Sequence, residues 1–201
     1  MTLQSTLSLA KQNLQNTLAT AESFWAFCGI DDDYVADDLD PNPTPEEILV
    51  VKIAAAAERI YLDGLPRPKD AENNPTDNYT KEEFATYHPC VVIFTAEENG
   101  LTINVDGGEN QASGSLKARF YAIIAEEYNM FGGEPTAEAK SAFEDSVGLI
   151  MNELHDMSLL QLGYLSCRRI ALSWLKWGDP RQTPIDGCRM GAELLIDWSG
   201  M

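Results

Sequence analysis

Two histidines and four cysteines make up the soft-ligand and neutral-base stock of this 201-residue chain. His88 stands directly before Pro89 at the entry to a predicted strand, where a turn residue is a better reading than a catalytic base. His155-Asp156 falls at the end of a predicted helix, where a cation complements the dipole. Cys28, Cys90, Cys167 and Cys188 are widely spread, with no C-x-x-C and no neighbouring histidine to complete a zinc set. Buried free thiols are the expected outcome. Carboxylate pairs occur at Asp37-Asp38, Glu97-Glu98 and Glu126-Glu127, but in so acidic a chain such pairs arise freely and more often mark a solvated face than an acid/base couple. The run from Asp31 to Pro45 holds six aspartates and three prolines in fifteen residues. Its spacing suggests calcium, yet starting the loop at Asp31, Asp32 or Asp33 never gives both the glycine and the glutamate that an EF-hand requires. Nucleophile-elbow, phosphate-loop and dinucleotide fingerprints are missing, and Gly107-Gly108 and Gly132-Gly133 are isolated doublets. The residues thus predict no enzyme, no cofactor and no metal site.

Charge is more informative. Thirty-two acidic against 14 basic side chains give a formal charge of −18. That balance repels nucleic-acid phosphate and argues against specific DNA or RNA binding. It suits an acidic surface facing basic partners, a passage through which DNA slides without sticking, or a salty habitat. The scarce cations concentrate in the second half: Lys117 with Arg119, Arg168 with Arg169, then Lys176, Arg181 and Arg189. Against them stands the acidic surface of Asp31, Asp32, Asp33, Asp37, Asp38 and Asp40. Opposite-charge surfaces on one small protein suit head-to-tail contacts between copies, with Lys117, Arg119, Arg168 and Arg169 as candidate subunit-interface residues. Intrachain salt bridges on a half-exposed sheet are the equally weighted alternative.

The elements that must carry these residues are legible from periodicity. From Cys188 to Trp198, apolar Cys188, Met190, Ala192, Leu194, Ile196 and Trp198 alternate with Arg189, Gly191, Glu193 and Asp197, a strand with one buried face. Tyr164–Trp177 supplies its partner across a breaker-rich loop, so the chain closes as a long-looped hairpin. Leu3, Leu7, Ala10, Leu14, Leu18, Ala21 and Trp25 predict one amphipathic helix over residues 3 to 27, ended near Gly29. Thr44-Pro45-Glu46-Glu47 starts a second helix running to about Glu58, with an extended segment through Leu62. Val91–Thr95 and Leu101–Val105 flank a Glu98-Asn99-Gly100 turn and predict a hairpin, followed by a loop from Asp106 to Gly114. A further strand covers Leu116–Ile124, and a helix capped by Thr136 runs to near Ser158 with Phe143, Val147, Ile150 and Leu154 on one side. The expected fold is α+β: an antiparallel or mixed sheet of about five strands with helices packed on one face, in a single domain over residues 1–201. Residues 31–45 and 64–88 are loop insertions in it. No eighteen apolar residues run together and the N-terminus shows no secretory pattern, so a soluble, intracellular product with no membrane partner is expected.

This order of elements resembles the tail terminator proteins of long-tailed bacteriophages, and more loosely the related tail-completion and neck proteins. The resemblance rests on the leading helix, the Arg59-Ile60-Tyr61-Leu62 entry, the strand start at Pro89-Cys90-Val91-Val92-Ile93, the long middle hairpin, the helix from Thr136, and the close at Leu194-Leu195-Ile196-Asp197-Trp198. It implies a structural virion protein, assembled in the host cytoplasm, that forms a ring, usually a hexamer, on the tail tube. Such a ring stops tube polymerisation and joins the tail to the head connector; its partners are its own copies, the tube protein and the connector protein. The residues also leave open an acidic DNA mimic that inhibits a nucleic-acid-binding protein, and a small hydrolase assembled from distant carboxylates.

Overall fold

In a computed structural model the described residues are 3–31, 43–67, 69, 72–75, 86–96, 101–106, 109–123, 137–158, 165–174 and 189–200. Two strands form the spine of its six-stranded mixed sheet: β4 (Glu109–Ile123) and β6 (Arg189–Gly200) pair antiparallel from Ala112↔Gly200 to Ile123↔Arg189. Outside β6 lies β5 (Leu165–Trp174), which completes the closing hairpin. On the other side of β4 lie β2 (Cys90–Thr95) and then β1 (Ile60–Leu62), the latter parallel to β2 with Ile60 opposite Val91. The short β1, which the sequence shows only as an extended segment, makes the sheet mixed. The fold is α+β, with one strand more than the approximate five.

The middle hairpin needs correction. β2 does not pair with β3 (Leu101–Asp106); both lie end to end along the same side of β4, Thr95 opposite Leu116 and Leu101 opposite Gly114. Ala96 N donates to Ser115 O at 3.0 Å, so the ladder continues one residue past β2. The expected turn at Glu98-Asn99-Gly100 lies outside the described residues. Instead β3 pairs with β4 up to Asp106 opposite Glu109, and Gly107 and Gly108 between them lie outside the described residues. The expected loop to Gly114 is likewise strand from Glu109 onward. Its polar Asn110, Gln111 and Ser113 carry little strand propensity; pairing with β3 and β6 holds them extended.

The leading helix is two. The first, α1 (Leu3–Ala19), ends where the Thr17 and Thr20 hydroxyls turn back onto the carbonyls of Asn13 and of Asn16 and Thr17. The buried Trp25 indole then donates to Ala19 O at 2.7 Å, satisfying a carbonyl the finished helix leaves open. Ala21 is extended, and α2 (Glu22–Cys28) follows, stopped by Gly29 in the left-handed region at φ 69°. The apolar stripe survives the break, since Ala10, Leu14, Leu18, Ala21, Phe24 and Trp25 are all buried. Third comes α3 (Pro45–Ala57), whose Thr44 and Glu47 form a reciprocal capping box. Hydrogen bonds from the Thr44 backbone and hydroxyl hold the Glu47 carboxyl below its ordinary range.

The last helix, α4 (Ala137–Ser158), buries Phe143, Val147, Ile150 and Leu154, as the spacing predicts. The four helices of the described residues lie on one face of the sheet, where their apolar sides meet Val91, Ile93, Leu116, Ala118, Phe120, Ala192, Leu194, Ile196 and Trp198. Phe120 of β4 sits at the centre, its ring 5.9 Å from Phe27 and 6.3 Å from Phe24, and Phe27 lies 6.0 Å from Phe143. Each such side chain, taken fully from water, contributes roughly 1.5–3 kcal/mol. This aromatic knot locks the helix layer to the sheet spine.

Candidate functional site: the second face of the sheet

Period-two alternation sends the remaining strand residues to the other face. There Cys90, Val92 and Tyr121 are buried with half-buried Tyr61, Leu65 and Phe94 packed against them. Beside this aromatic half lies a charged half. Arg119 Nε donates to Glu193 Oε2 at 2.6 Å directly across β4 and β6, and Lys117 Nζ reaches the other oxygen, Oε1, at 3.3 Å. One row further, Asp197 Oδ1 accepts from the Ser115 hydroxyl and Asp197 Oδ2 from Arg169 Nε at 2.9 Å. The Arg119 guanidinium also stands 5.1 Å from the centre of the Phe94 ring, joining the two halves.

Burial alone would lower the Arg119 pKa; the hydrogen bond and charge of Glu193 outweigh it and hold the value above that of a free guanidinium. Burial pushes the Tyr61 phenol up to about 12, with Cys90 adding to the rise and Arg59 opposing it. On this face, therefore, the tyrosine stays neutral and the arginine charged across the physiological range. Arg59 secures the edge of the aromatic half by donating to Thr86 O at 2.8 Å and His88 O at 3.4 Å. His88 is buried, its ring 6.4 Å from Tyr121, while Tyr87 meets Tyr61 edge-on at 6.0 Å.

Three of the four cations singled out from sequence are thus brought onto one surface: Lys117, Arg119 and Arg169. Each is fixed by an intrachain carboxylate, as the salt-bridge alternative predicted, and all three keep solvent exposure, most of all Arg169 at 55% of its side chain. Arg168 sits at a register shift between Cys167 and Arg169, and its side chain lies outside the described residues. Consecutive strand residues face opposite ways, so a regular strand would not have presented both arginines together. Of the acidic surface, Asp31 is exposed at the end of the first described segment; Asp32, Asp33, Asp37, Asp38 and Asp40 lie outside it. Sequence reasoning singled out neither Glu193 nor Asp197 as site residues, although their alternation with buried neighbours put them on the polar face, and it missed the Phe94 and Tyr121 contribution. A cation-bearing strand next to an acid-bearing one is the available signal, readable only once the register is known.

Cys28 and Cys90 are buried free thiols, and burial drives the Cys28 pKa far above the ordinary thiol value. His155 is exposed in the last turn of α4. Among the described residues no three His, Cys, Asp or Glu side chains group as metal ligands, and no helix is long and apolar enough to cross a membrane. No protein-family model matches this chain, and a search of curated proteins finds no match. What the face can do chemically is bind: it offers aromatic surface, fixed positive charge and a preformed backbone, the ingredients of a protein contact.

Proposed function

We propose that this chain is a structural subunit that assembles with its own copies into a ring, a tail terminator that caps the tail tube of a long-tailed phage and joins it to the head connector. The observation that carries the reading is the second sheet face, where half-buried aromatics adjoin partly exposed cations locked into place by Glu193 and Asp197. A preorganised surface loses little side-chain freedom on association, so it favours a repeated protein–protein contact. The order of elements supports the family, and the charge of −18 supports a lumen that repels passing DNA. On this reading the protein carries no catalytic chemistry, takes no cofactor, and ends in the virion after assembly in the host cytoplasm.

The reading is tested by adding the purified protein to polymerising tail tubes. Terminator activity fixes tube length and leaves a density at one end under the electron microscope. Tubes that grow to the same length with and without the protein contradict it.

A further inference from the structure

We draw no further inference here: the strongest candidate, the apolar patch of exposed Leu49 and Val50 on the outer side of α3, carries none, because nothing in the structure shows what covers it.

Discussion

Glu193, on β6, holds two cations of β4 at once, accepting from Arg119 at 2.6 Å and lying 3.3 Å from Lys117, while its own side chain is only 11% exposed. A carboxylate this far from water is tolerable because both oxygens face charge. Glu193→Gln keeps the shape but leaves Arg119 and Lys117 sharing a neutral amide, and is expected to lower the unfolding free energy by about 2 kcal/mol. Urea denaturation of the variant checks this, and Glu193→Gln with the stability of the parent protein would show that the pairs are ornamental to the fold.

Glu153 of α4 supplies what the sequence before α2 lacks. Ala21 has no side-chain oxygen to cap that helix, and the Glu153 carboxylate accepts from Glu22 N at 2.9 Å, from Ser23 N at 2.8 Å and from the Ser23 hydroxyl. Glu153→Ala should cost about 1–3 kcal/mol by exposing those donors, with amide exchange rising first at Glu22 and Ser23. Protection unchanged at both residues would rule out the cap.

How much the sequence disclosed follows the range of the interactions involved. The stripe of α4, the Thr44 N-cap of α3 and the alternation of β6 are local patterns, and each survives into the structure unchanged in kind. Broken expectations come from distant partners. The Trp25 indole that finishes α1, the Glu153 carboxylate that starts α2, and the β3 and β6 neighbours that hold Asn110–Ser113 extended leave no periodic trace. Asn99-Gly100 read as a hairpin because its chemistry suits one. Register shows β2 and β3 sharing one side of β4, a choice between pairings that turn propensity cannot make. The candidate site follows the same rule: its cations stood out by scarcity, whereas their carboxylates became visible only across strands.

Tyr61 gives a pH test of the aromatic half of the second sheet face. Its folded-state pKa of about 12 lies above the ordinary value of 10, so its contribution to stability is complete below pH 10 and is lost as pH rises through about 12. Ultraviolet titration of phenolate should therefore show one late tyrosine that disappears in Tyr61→Phe. Loss of stability across that window should also be smaller in the variant. A variant with an unchanged titration curve would place Tyr61 in water.

Cys28 and Cys90 should resist thiol reagents in the native protein and react on adding denaturant, because both are buried and the Cys28 thiolate is strongly disfavoured. Mass spectrometry of the labelled peptides assigns each site. Rapid native labelling at either position would contradict the packing of the helix face at Cys28 or of the second sheet face at Cys90.

Association is the central claim, and the most direct measurement is mass in solution by light scattering over a salt series, followed by electron microscopy of the largest species. The account predicts a closed ring with a central hole, its mass a whole multiple of 22.2 kDa. A chain that remains a single copy at every salt and protein concentration would contradict it.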